Sequence, residues 1–415
     1  CYRYLHHAGA APGSGFGYRC KEEEDQWTLK DPHSTYPKTL VAKKILTEEQ
    51  NQMLLAMAHK AVLTAREACA RPVDGKLVTR EELWPDPKTI QIGIRSDGSE
   101  FKNAVYHEKE DFSEFTTLSY SEAIAAVTGR HLEQDADVFV LGEEVANFGG
   151  GPYGATKGLP QKFPSRVLNT PISECGFSGL GGGAAMCGLK PVIEIMFPDF
   201  ALVAADQLFN QIGKLRHMYG NSTDMPVVVR TRIAIGCGYG GQHSMDPVGI
   251  FALFSGWHIV SPSNAFDYVG LFNAAMRCKD PVVVIEHHAL YPRKFEILKD
   301  NLDYLIPLGK ARVVQAGKDI TLLCYGISVS LVQEAAAALA AQGISAEVID
   351  LRTLSLFELD YETIGESLKK TNVMAIIEQA PASMTLGPRI ACEVQKRFFD
   401  YLDAPIETLG GLDIP

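Results

Sequence analysis

The stretch SYSEAIAAVTGRHLEQDADVFVL, residues 119–141, decides the fold: a helical pattern over 121–133 runs into a short, continuous apolar strand over 138–141. The same alternation continues downstream. A glycine-rich, small-residue stretch over 176–188 leads into a strand over 191–196. Further strands are expected at 227–230 and 282–285, with helices over 200–214 and 267–277 between them. Continuous apolar strands separated by helices indicate a parallel sheet covered on both faces, because such strands have no solvent side. The expected fold class is α/β.

The pattern repeats on a smaller scale towards the C-terminus. Strands are expected at 320–325, 346–349, 373–377 and 406–408, with a helix over 329–341 that closes at Gly343. Towards the N-terminus it dissolves. Residues 1–115 are polar and irregular, with a Gly/Pro/Ser cluster over 9–17 and breakers at Pro72, Pro85 and Pro87. One helix stands out there, over 48–70. Thr47 and Gln50 have the spacing of a capping box, and Met53, Leu54, Met57, Ala61, Val62 and Ala65 recur at helical intervals. Three segments are therefore expected: 1–115 as the tail of one unit plus a linker, 116–304 as the larger α/β domain, and 305–415 as the smaller.

Composition excludes several function classes. The 415 residues carry 39 Lys+Arg against 50 Asp+Glu, a net charge of −11, and no basic block is longer than the pairs Lys43-Lys44 and Lys369-Lys370. That balance offers no footprint for nucleic acid or an anionic membrane. The nine cysteines are odd in number and contain no CxxC pair, which argues against a zinc ribbon or a disulfide framework and for mostly buried, reduced thiols. No apolar run is long enough to span a membrane, and no leader pattern opens the chain. The expected location is the cytoplasm, or the mitochondrial matrix in a eukaryote. With Cys1 in place of Met and a stop just after a strand-like run, both ends read as cut from something longer.

Five segments in order carry a resemblance: Leu141-Gly142-Glu143-Glu144-Val145, Asn169-Thr170-Pro171-Ile172-Ser173-Glu174, Glu194-Ile195-Met196-Phe197-Pro198-Asp199-Phe200, Ala205-Asp206-Gln207 and Gln242-His243-Ser244. With Asp350-Leu351-Arg352-Thr353-Leu354 and Glu378-Gln379-Ala380-Pro381 behind them, the chain resembles the β subunit of the thiamine diphosphate-dependent decarboxylating component of 2-oxo acid dehydrogenases. The match spans about 119–415. Residues 1 to about 72 resemble the end of the partner α subunit, as in an α/β fusion without its beginning. The resemblance implies a transketolase-like pyrimidine-binding domain followed by a transketolase C-terminal domain.

It also implies site residues. Glu174 falls on the glutamate that sits beside the pyrimidine N1' of thiamine diphosphate and drives the tautomer that deprotonates the thiazolium; Ile172, Cys175 and Phe177 are its expected apolar neighbours. Phe200 falls on the aromatic that stacks on the pyrimidine, with Met196 and Ile172 as apolar walls. His243, set behind the glycine-rich stretch 236–241, falls on the active-site histidine of this subunit, with a proton-transfer role in decarboxylation or acyl transfer. His6 and His7 fall on the histidine-rich loop of the α subunit, and which of the two acts is left open. The diphosphate-holding Gly-Asp-Gly motif is not in this chain, so the cofactor's Mg2+ is expected on an upstream stretch or another chain. The run 179–183 lacks the order of a phosphate loop and reads as close helix packing, while His287-His288 reads as a strand end lining an interface.

The implied reaction is decarboxylation of a small 2-oxo acid, branched-chain or pyruvate, with acyl transfer to the lipoyl group of a dihydrolipoyl acyltransferase. A second copy of the chain or an α-type subunit is the other expected partner, with part of the contact on helices 204–214 and 266–277 and the apolar residues 202–205. The alternatives are acetoin dehydrogenase, a ketol transferase of the transketolase or deoxyxylulose phosphate synthase kind, and a non-catalytic assembly subunit.

Overall fold

The computed structural model describes residues 20–84 and 95–414. The chain divides into two compact units, Cys1–Asp86 and Pro87–Pro415. In the first, helices Lys21–Thr28 and Pro32–Ala42 precede the long helix Glu48–Cys69. The capping box forms in both directions: Gln50 N donates to Thr47 Oγ1 at 3.1 Å and Thr47 N to Gln50 Oε1 at 2.9 Å. A hairpin follows, β1 (Ala70–Val73) against β2 (Lys76–Thr79), turned by Asp74 and Gly75 with φ of 49° and 73°. Asp-Gly tolerates the left-handed backbone that such a two-residue turn requires.

The second unit holds two large sheets and a two-stranded one. Strand β3 (Phe115–Ser119) leads through helix Tyr120–Gln134 into β4 (Val138–Gly142), and β5 (Val167–Asn169), β6 (Lys190–Ile195), β7 (Val228–Ile233), β8 (His258–Val260) and β9 (Val282–His287) complete a six-stranded parallel sheet in the order β5-β4-β6-β7-β9-β8. Strands such as β7 and β9 are buried along their whole length, as the continuous apolar runs require. Strand β10 (Lys294–Leu298) returns to pair antiparallel with β3. The smaller sheet has β11 (Arg312–Gln315), β12 (Ile320–Cys324), β13 (Ala346–Asp350), β14 (Met374–Pro381) and β15 (Glu407–Gly411) in the order β11-β13-β12-β14-β15, with only β11 antiparallel. One apolar core runs from Ile193, Val229 and Ile285 of the first sheet to Leu323, Ile349 and Ile376 of the second.

A buried ion-pair cluster joins the two domains. Arg352, held at φ 54°, donates to Asp267 on helix Ala265–Arg277 at 2.8 and 3.0 Å and to Glu108 at 2.7 and 2.8 Å. Residues 95–114 therefore pack with this unit, Ser96 N also donating to Asp280 at 2.8 Å. Two expectations need correction. Helix Ala265–Arg277 is buried in its own unit through Met276, so it offers no interface, whereas Leu202 and Val203 are exposed. Of the eight described cysteines, all free, only Cys278 and Cys324 are buried. No helix of the described residues is long and apolar enough to cross a membrane.

Candidate active site

The carboxyl ends of the larger sheet's strands deliver the candidate residues to one edge, where parallel sheets place their crevices. Glu143 follows β4, Glu174 opens the helix after β5, Met196 and Phe200 follow β6, His243 lies in the loop after β7, and His287 ends β9. The helix Glu174–Met186 is seated by its glycines. A Cβ on Gly181 would lie 2.5 Å from Ile193 Cδ1 and one on Gly182 2.9 Å from Ile212 Cγ1. The glycine run thus serves close packing, as its lack of phosphate-loop order suggested.

Glu174 is buried at 6% exposure, but not by the neighbours expected for it: Ile172 is 86% exposed and Cys175 is on the surface, leaving only Phe177 inside. The group against it is the carboxyl of Glu143, which sequence reasoning quoted without giving a role. Burial, together with the charge of Glu174 and a hydrogen bond to it, pushes Glu143 up to about 7. Glu143 thus gains and loses a proton near neutrality, next to the carboxyl expected to address the cofactor. Their meeting across β4 and β5 is visible only in three dimensions.

Phe200 and His243 come together. The imidazole packs edge-on against Phe200 at 5.4 Å and against Phe197 at 4.7 Å, both between ring centroids. His243 therefore has a packing partner, contrary to the expectation for a histidine among glycines. The loop behind it alternates left-handed glycines, Gly236, Gly238 and Gly240. Its far end is anchored: Met245 N donates to Asp199 at 3.3 Å, and Tyr325 of the smaller domain donates to Asp246 at 3.4 Å and to Glu378 at 3.1 Å. Burial raises Asp246 to about 6. The Glu-Gln-Ala-Pro segment thus steadies the histidine loop, Glu378 itself accepting from Leu386 N and Gly387 N at 2.9 and 2.6 Å.

Met196 and Phe200 are half-buried, each with surface left to contact a ligand. His288 belongs to the same cluster, 5.2 Å from the ring of Tyr239. His6 and His7 lie outside the described residues. Among the described residues, no group of three or more potential metal ligands converges.

Residues 116–294 match the model of the transketolase pyrimidine binding domain, and 309–415 that of the transketolase C-terminal domain. The pyruvate dehydrogenase E1 component subunit beta of Rhizobium meliloti is 40% identical over 304 residues, covering 73% of this chain and 65% of that protein. The mitochondrial subunit of the same name from Dictyostelium discoideum is 41% identical over 301 residues, covering 72% and 84%. The acetoin:2,6-dichlorophenolindophenol oxidoreductase subunit beta of Cupriavidus necator is 38% identical over 299 residues, covering 70% and 87%. A solved split gene transketolase, described as an inactive beta4 tetramer, shares the fold at a TM-score of 0.58 and 22% identity, over 72% of this chain and 90% of that one.

Proposed function

Since the chain belongs to the family of pyruvate dehydrogenase E1 component β subunits, thiamine diphosphate-dependent 2-oxo acid dehydrogenase components built on transketolase domains, we propose that it supplies the pyrimidine half of a thiamine diphosphate site that decarboxylates a small 2-oxo acid and passes the acyl group to a lipoyl group. The observation that carries this reading is the buried Glu174–Glu143 pair at the same carboxyl edge of the sheet as a half-buried Phe200 and its partner His243. A carboxyl set beside an available aromatic face suits an aminopyrimidine, which needs one group at N1' and a stacking surface.

When bound, thiamine diphosphate supplies the carbon nucleophile and the electron sink that decarboxylation needs. Glu174 holds the proton at the pyrimidine N1', and Glu143 exchanges one beside it. Phe200 orients the ring, while Met196 and Ile172 wall it. His243 moves the proton of the attacking lipoyl sulfur or of the acyl oxygen. His6 and His7, outside the described residues, keep the role that the resemblance to the histidine-rich loop of the α subunit implies, with either one as the acting residue. Mg2+ and the diphosphate belong to an upstream stretch or to an α-type chain.

The partners under this reading are a lipoyl-bearing dihydrolipoyl acyltransferase and either a second copy of the chain or an α-type subunit, in the cytoplasm or mitochondrial matrix. The division proposed from the sequence is 1–115, 116–304 and 305–415, although the described residues 95–114 pack with the second unit. The test uses the full-length protein with its complement. Dye reduction on pyruvate, 2-oxoisovalerate, 2-oxoglutarate and acetoin identifies the substrate, and turnover of acetoin alone selects the acetoin dehydrogenase alternative. Glu174→Gln keeps the volume but cannot relay the proton, so exchange of the thiazolium C2 hydrogen should fall by about 100-fold or more. Exchange as fast as wild type overturns the assignment.

A further inference from the structure

Arg230 and Arg232 sit two residues apart on β7 and project to the same face of the sheet, yet only one of them is neutralised. Arg230 is fully engaged, its Nε and Nη2 donating to Glu286 at 2.7 and 3.2 Å and its Nη1 to Glu194 at 3.2 Å. Arg232, only 2% exposed, has no ion pair among the described residues, and its Nε and Nη2 are buried without any hydrogen-bond partner. The plane of its guanidinium lies over Tyr153 at 3.2 Å, with Phe197 at 4.6 Å and Tyr291 at 5.8 Å. Stacking satisfies the faces of a guanidinium but leaves the N–H groups on its edge empty. A buried cation with an empty edge is an incomplete site.

The cluster adjoins the candidate active site, since Phe197 touches both Arg232 and His243. It also has a cover. Tyr239 packs on Phe197 at 5.4 Å, its hydroxyl lies 3.3 Å from His288 Nε2, and it stands between Gly238 and Gly240, both at positive φ and both with nothing within 4 Å of where a Cβ would stand. His288 Nδ1 is likewise buried without a partner.

We propose that Arg232 receives a carboxylate at the far end of the substrate, beneath Tyr239, so that the 2-oxo acid is dicarboxylic. This rests on the thiamine-dependent reading above. One planar fork walled by aromatic rings matches a carboxylate, which pairs with it through two parallel hydrogen bonds. A phosphate dianion calls for more donors, and the nearby cations are committed, Arg230 to its glutamates and Arg293 to Ser330 Oγ at 3.1 Å.

The test uses the full-length protein assembled with its complement and has two readouts. Calorimetric titration with glutarate, butyrate and inorganic phosphate reports the anion site without turnover. Glutarate should bind at least about 10-fold tighter than butyrate and phosphate, and Arg232→Met should erase that difference. In turnover, the ratio of kcat/KM for 2-oxoglutarate over 2-oxobutyrate should fall by about 100-fold in Arg232→Met, with Arg232→Lys intermediate. Equal binding of glutarate and butyrate by the wild type, or preferred binding of phosphate, overturns the proposal; this comparison holds even if the variant fails to fold. Arg232-dependent glutarate binding without turnover of any 2-oxo acid supports the anion site and overturns the decarboxylase reading alone.

Discussion

Burial first, and then the carboxyl of Glu174 pressed against it, lift Glu143 from the ordinary value of 4.5 to about 7. Between those values the folded state binds more protons than the unfolded chain, so this group's contribution to stability is present below about pH 4.5 and is lost as the pH rises through 7. Glu143→Gln cannot ionise. Its denaturation midpoint, relative to wild type, should therefore climb between pH 5 and pH 8, and parallel profiles would show that the pair is not coupled. His243→Ala separates chemistry from packing. Two edge-on ring contacts are worth about 0.5–1.5 kcal/mol each, whereas a lost proton-transfer group costs about 100-fold or more in turnover. Chemical denaturation and turnover measured side by side should show activity falling far more than stability. Glu174, Phe200 and His243 could be singled out as candidates because each stands in a motif. Glu143 and Arg232 were not, because what defines them is a neighbour across a strand, a missing partner, and burial.

At the scale of elements, legibility follows from how local the determining contacts are. The helix Glu48–Cys69 was readable to within a residue because its cap and its apolar stripe are both local, although none of its residues is buried. The strands β4, β6, β7 and β9 of the larger sheet and β12 to β15 of the smaller were readable from their apolar runs, while the short β5, β8 and β11 were not; 200–214 was read as one helix and is instead the end of a 3₁₀ turn at Pro198–Leu202 and a π-helix at Asp206–Ile212, with a separate short α-helix at Leu215–Met218 beyond it. The cause lies 44 residues on from Gly213, where the indole of Trp257 donates to Leu208 O at 3.2 Å and Gly213 N bonds back to the same carbonyl at 2.9 Å. No pattern within the segment announces that insertion. The glycine run carries the opposite lesson, since its small residues do report a close approach. Gly181→Ala improves helix propensity by about 1 kcal/mol, but its methyl meets Ile193 against β6, so a net loss of about 1–3 kcal/mol is expected in denaturant melts.

For the molecule as a whole, two charged and apolar arrangements set what must stay together. Within the second unit, Arg352→Met would leave Asp267, at 0% exposure, buried without its main counter-charge, and a loss of about 3–5 kcal/mol should appear in chemical denaturation of the full chain. Beyond it, large apolar side chains near the candidate residues are exposed: Ile172 at 86%, Val203 at 58%, Leu180 at 57% and Leu202 at 53%. Leu180 lies on the helix that Glu174 opens, and Leu202 and Val203 follow directly on Phe200. Exposed apolar residues grouped around a site mark an interaction surface rather than a tolerated surface defect. Covering these side chains would also exclude water from Glu174 and Glu143, strengthening the charge interactions on which proton exchange depends. The contact should be obligate in size, on the order of 2,000 Å² or more. The double variant Leu202→Asp/Val203→Asp places charge on this surface without touching the core. In sedimentation velocity it should shift the full-length protein to smaller species, with thiamine diphosphate affinity falling in step because the half-site alone cannot hold the cofactor. A wild-type protein that remains a monodisperse monomer at full activity would overturn this, and would require one chain to close the site by itself.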